Sequence, residues 1–156
     1  RPVFTGGFFM MVQFIRNFIL SFLGSIAPSI AMNIEKRLLL WTGLGGAVGY
    51  SIAFALNTSA TSLSVSQTFA GAVAVAVYSE LMAKKLKAPA TVFCVPGIIP
   101  FLPGIAAYQT IQSLVENNIQ KAAGHAVDTM FKAFTIAFGI MIVTALFRLI
   151  RKKRAI

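Results

Sequence analysis

The sequence predicts an all-α integral membrane protein of about five transmembrane helices, the fourth broken by a Pro/Gly motif. Three observations predict it. Of 156 residues, 57% are hydrophobic and only 12% charged, where soluble domains carry roughly 25% charged residues. Mean hydropathy is +0.79. Apolar runs of about 20 residues, the length that spans a bilayer core, alternate with short polar or basic connectors. Finally, the uncharged stretch between Lys87 and Glu116 holds Pro96, Pro100 and Pro103 together with Gly97 and Gly104. Five spans with their connectors use up the chain, so residues 1–156 read as one membrane domain.

The first span covers residues 8–33. Gln13, Asn17, Ser21, Gly24 and Pro28 recur at helical spacing and form a polar, small-residue stripe. Arg16 lies beside it. An arginine there either snorkels to the interface or meets a partner. Pro28 should kink the last turns. Glu35, Lys36 and Arg37 form a loop, and the second span follows over residues 38–57. Trp41 near its start suits an interfacial aromatic belt. Gly45, Gly49 and Ala53 share one face, and small residues let helices approach closely in lipid. Their first reading is packing.

Residues 57–66 are rich in Ser, Thr and Asn and read as a loop. The third span, residues 63–83, is largely Ala, Val and Gly, which suits a helix enclosed by others. Glu80 near its end has Lys84 four residues on, so it reads as a solvated helix pair or as a coupling-proton site. The fourth span, residues 90–115, carries the break. Gln109, Gln112, Ser113 and Glu116 then form a polar stripe, which packs inward or faces water and avoids lipid. Residues 117–124 read as a polar connector, and the fifth span covers residues 125–147. Asp128 and Lys132 are four apart and can pair directly. The pair is either structural or a place where a proton or carboxylate competes. The chain closes on a basic tail from Arg148 to Arg154.

The net charge of +10 raises nucleic acid as a partner, but the basic residues lie in clusters between apolar runs. Those clusters follow the first, third and fifth spans, so an odd number of spans puts them all on one side. The positive-inside rule makes that side cytoplasmic, with the N-terminus outside, in the cell membrane. One cysteine, Cys94, and one histidine, His125, exclude a disulfide framework and a Cys/His metal cluster. The first apolar run is too long for a cleavable signal peptide. The chain opens on Arg1, which leaves room for a preceding membrane half.

Each proline lacks an N–H and clashes with the carbonyl four residues back, so three of them interrupt the fourth helix. A surface loop would not have apolar flanks such as residues 90–95 and 105–107. Irregular backbone at membrane depth survives only inside protein or beside a watery cavity, and interrupted helices mark substrate sites in many transporters. The run from Val95 to Tyr108 resembles the Pro/Gly motif of the threonine/serine exporter family, and more narrowly its small five-helix subunit or C-terminal half. The Gly-rich second helix and the basic tail fit as well. The resemblance implies export of small polar metabolites, threonine and serine in some members and dicarboxylates in two-subunit members. It also implies proton coupling as an antiport and a second membrane half as partner; no cofactor is expected, and a homo-oligomer is a further arrangement open to the chain.

The leading expectation is therefore half of a secondary exporter with its substrate path at Pro96, Gly97, Pro100, Pro103, Gly104, Tyr108 and Gln109. Arg16, Glu80, Asp128 and Lys132 are candidates for coupling or ion pairing. A half-helix N-terminus after the break would offer positive dipole to a carboxylate. The competing expectation is a non-transporting membrane scaffold, in which the prolines and glycines serve packing alone. A membrane enzyme comes third, since four acidic residues, one His and one Cys leave little for a catalytic cluster.

Overall fold

The computed structural model describes residues 5–56 and 64–154, with side chains over 11–56 and 64–150. All its regular elements are helical: α1 (Thr5–Ala31), α2 (Lys36–Ala55), α3 (Val65–Leu86), α4 (Thr91–Ile98), a 3₁₀ turn (Ile99–Phe101), α5 (Gly104–Val115) and α6 (Ile119–Arg154). Among the described residues, three helices are long and apolar enough to cross a membrane, over Met11–Ala31, Lys36–Ala55 and Ile119–Ile150. The pair Thr91–Phe101 and Gly104–Val115, bent by 51°, makes a fourth pass if read as one broken span. This is a multi-pass all-α membrane protein.

The count of five rests on α3, which falls short of the same apolar standard. Gln67, Thr68, Ser79 and Glu80 dilute it, and all four are buried. Every residue from Phe69 to Glu80 is buried or half-buried, with α2, α4 and α6 packed around it. A helix enclosed by protein has no need of the hydropathy that lipid demands. Glu80 thus lies inside the bundle, unlike the solvated pair expected from its spacing to Lys84.

Helix ends are set by local chemistry. Asn33, Lys87 and Asn117 adopt left-handed φ values of 54°, 53° and 56°, and asparagine tolerates that region better than most residues. At the start of α3 the Ser64 N–H donates to Gln67 Oε1 at 2.8 Å, half of a capping box. The loop expected over residues 57–66 lies mostly outside the described residues. The connector expected over 117–124 is much shorter. Asn118 Oδ1 accepts the Lys121 N–H at 3.2 Å, which caps α6 from Ile119 onward. The C-terminal tail also stays helical to Arg154. Lys and Arg are good helix formers, and their charge suits a helix C-terminus.

The centre of the bundle is α2. Its glycines let α1, α3 and α4 press against the backbone. A Cβ on Gly45 would sit 3.0 Å from the Tyr78 ring, and one on Gly97 of α4 2.8 Å from Val75. Across α1 and α2, Ser29 Oγ hydrogen-bonds Thr42 Oγ1 at 2.8 Å. Lys84 lies 4.7 Å from the Phe147 ring centre, and Lys85 5.3 Å from that of Trp41. The basic ends of α2, α3 and α6 therefore gather at one end of the bundle.

Candidate functional site

The prolines shape the break one hydrogen bond at a time. Pro100 cannot donate to the Pro96 carbonyl, so the Ile99 N–H takes that acceptor. Pro103 cannot donate to the Ile99 carbonyl, and the Leu102 N–H takes it at 3.2 Å. Both substitutions shorten the ring from an α-type to a 3₁₀-type bond, which is why a 3₁₀ turn follows α4. Pro103, at φ −75° and ψ 52°, then forms an inverse γ-turn, closed by Gly104 N–H to Leu102 O at 2.7 Å. There the chain bends and α5 begins.

The interruption is thus narrower than residues 96–104. Pro96 sits inside α4 and is fully buried; Gly97 is buried too. Those carbonyls that Pro100 and Pro103 deprive of a donor are satisfied within the turn. The first-turn N–H groups of α5, at Ile105 and Ala106, have no acceptor within the helix.

Beside the break lies a cavity of about 570 Å³. Pro100, Pro103 and the first turn of α5 form one wall, and Gln109 follows one turn on. His125, Asp128 and Lys132 of α6 line it as well, together with Tyr50 of α2 and Thr68 of α3. Lys132 Nζ donates to Asp128 Oδ2 at 2.8 Å. The Lys132 side chain is only 16% exposed, that of Asp128 44%. The cavity therefore pairs a positive helix end and an ammonium with a carboxylate, in surroundings that are otherwise apolar or neutral. Such an arrangement can bind a small solute carrying a carboxylate, an ammonium, or both.

Of the residues singled out from sequence, Pro100, Pro103, Gln109, Asp128 and Lys132 meet in this cavity. Pro96 and Gly97 serve helix packing. Gly104 is exposed, and a Cβ there would meet nothing within 4 Å. Tyr108 is 66% exposed and is not part of the cavity lining. Arg16 is exposed on α1. Glu80 is buried beside Cys94. None of these last four residues lines the cavity. His125 and Tyr50 escaped the sequence reading. For His125 a signal existed, since His125, Asp128 and Lys132 fall at i, i+3 and i+7, one helix face.

Interrupted apolar helices beside a polar cavity recur in membrane transporters. No solved structure matches the chain. A family model described as "Threonine/Serine exporter, ThrE" matches residues 17–146. The chain belongs to the threonine/serine exporter family.

Proposed function

We propose that this chain is one half of a proton-coupled exporter of small amino acids, threonine or serine, or of dicarboxylates, and that the solute passes at the broken helix. The observation that carries this reading is the convergence of the break, Gln109 and the Asp128–Lys132 pair on one cavity. A solute carboxylate would replace Asp128 as the partner of Lys132, helped by the N-terminus of α5. Asp128, released, would take a solute ammonium or a proton. Coupling in this scheme belongs to Asp128. Arg16, Glu80 and Tyr108 lie outside the cavity, Pro96 and Gly97 hold the helix packing around it, and Gly104 opens α5 at the bend.

The basic end of the bundle is read as cytoplasmic and the opposite end as outside, in the cell membrane. A second, oppositely oriented half completes the path, either a separate subunit, a fused half, or a second copy of this chain. The exposed stripe of α5 supports this, since Gln112 and Glu116 continue it from Gln109 beyond the cavity lining and lipid disfavours them. The scaffold reading draws on Pro96 and Gly97, whose placement is explained by packing.

The test is reconstitution of the chain alone and with candidate membrane partners, followed by efflux of serine, threonine and succinate. Efflux that needs the partner, and that falls with Asp128→Asn, is expected. No efflux of any of the three in either setting would favour the scaffold. Full activity from the isolated chain in a single orientation would refute the two-half arrangement.

A further inference from the structure

The polar stripe of α1 is not used by the charged cavity. It lines a second cavity of about 240 Å³, open to the surface, in which Asn17, Ser21 and Gly24 meet Tyr50 and Pro100. That volume equals roughly eight water molecules. Ser21, 6% exposed as a residue, borders this cavity, whereas the buried hydroxyl without a partner among the described residues is that of Ser25 one turn on. At Gly24 an added Cβ would meet nothing within 4 Å, so this glycine borders open space. No charged side chain lines the cavity.

Tyr50 and Pro100 line both cavities. The Tyr50 ring leans on Phe101, 5.8 Å between centres, and its hydroxyl has no partner among the described residues. The two cavities therefore meet at a shared boundary. From Asn17 to Gly24, α1 runs toward the end where Ser29 meets Thr42 and the basic residues gather. From Pro103 to Gln109, α5 runs toward the opposite end, where it joins α6.

We propose that the second cavity is a neutral subsite on the solute path, holding a small polar solute by hydrogen bonds from Asn17, Ser21 and Tyr50, and that Tyr50 with Pro100 is the partition it crosses to reach the charged cavity. This rests on the transport reading above. Two sites of unequal strength suit passage, because a solute must be able both to enter and to leave. The neutral hydrogen bonds here are individually weaker than the charge-assisted ones beyond the partition.

The experiment uses the full chain with its partner in membrane vesicles, in a Cys94→Ser background. Gly24→Cys is compared with Leu23→Cys, its neighbour on the outer surface of α1, using aminoethyl methanethiosulfonate. A thiol in apolar surroundings forms little thiolate, so Gly24→Cys should react about tenfold faster or more. Serine, threonine or succinate, whichever the vesicles transport, should slow that reaction. Ser21→Ala should weaken the protection about three- to tenfold, as expected for one hydrogen bond. Ser21→Cys serves as a second reporter should Gly24→Cys express poorly. Labelling of both reporters as slow as Leu23→Cys, with transport intact, overturns the subsite. Fast labelling that a transported solute does not slow overturns its place on the path. Vesicles that transport none of the three solutes defeat the transport reading itself, and the subsite with it.

Discussion

The Phe101 ring occupies the space that a side chain on Gly71 would need: a Cβ built on Gly71 collides with Phe101 Cε1 and lies 2.7 Å from Cζ. A Cβ built on Gly49 of α2 would lie 3.3 Å from Cε2, on the other edge of the same ring. Phe101 is 3% exposed and belongs to the core cluster of Ala53, Ala72, Val75 and Ile136. The break in the fourth pass is therefore anchored by its own central residue. Two prolines give the turn, and two glycines on neighbouring helices accept the wedge.

Gly71→Ala should destabilise the protein by about 1–3 kcal/mol, the cost of forcing extra volume into a packed core. Thermal unfolding in detergent would measure it. Gly104→Ala should be close to neutral, because nothing lies within 4 Å of that Cβ. Pairing Gly71→Ala with Phe101→Leu should recover part of the loss. Equal stability of Gly71→Ala and Gly104→Ala would remove the wedge from the argument.

The prolines should separate by position. Pro103 closes the γ-turn at the bend, so Pro103→Ala should let the helix straighten and should abolish efflux while membrane insertion stays normal. Pro96 lies within α4, where alanine restores an N–H for the Val92 carbonyl. Pro96→Ala should keep efflux, with a modest loss of unfolding stability, because the restored N–H offsets part of the ring packing that is lost. An efflux assay on the two single variants decides it: comparable activity in both would mean that the bend is not needed for transport.

Much of this was legible in the sequence, for a physical reason. Lipid demands apolar runs and punishes unpaired backbone, so spans, break and basic bias all leave one-dimensional marks. What stayed hidden depends on register between helices. Phe101 is one apolar residue in an apolar run, and only the meeting of α2, α3 and the turn makes it a wedge. Tyr50 likewise gains meaning only by standing between two cavities. The start of α6 was hidden differently. Gln120 and Lys121 look like connector residues, yet Asn118 caps them into a helix.

Asp128 and Lys132 should be energetically coupled. Removing one charge leaves the other unpaired in a poorly hydrated site, whereas removing both does not. A double-mutant cycle with Asp128→Asn and Lys132→Met should give an interaction of about 1 kcal/mol, modest because Asp128 keeps some solvent access. Unfolding stability reads the coupling, and efflux reads its use. Additive losses would show that the 2.8 Å contact has no energetic meaning.

Cys94 reports on orientation. It is half-buried and lies one helical turn beyond Ala90, whose carbonyl accepts the Cys94 N–H at 2.9 Å. That places it near the basic end of the bundle. A small thiol reagent should reach it from the cytoplasmic face and leave it untouched from outside. Modification from outside alone would invert the assignment of the two faces.

The exposed stripe of α5 gives the last prediction. This helix packs on α6 and leaves Gln109, Gln112 and Glu116 uncovered. Gln112 Nε2 donates to Glu116 Oε1 at 3.0 Å, which satisfies two polar groups but hides neither from the surroundings. On the buried side of the same helix are Ala106 and Ser113. Facing lipid, the stripe would be costly, and leucine would be an improvement. Facing a second half or a watery path, the stripe supplies hydrogen bonds, and leucine would break them. The variant Gln112→Leu, with Glu116→Leu added in a second step, therefore gives opposite outcomes under the two arrangements. With a partner half in place, co-purification and efflux should both drop, while the isolated chain unfolds at an unchanged or higher temperature. If the doubly substituted chain keeps its partner and its efflux, the stripe is a lipid-facing feature, and the surface that joins the two halves lies elsewhere on the bundle.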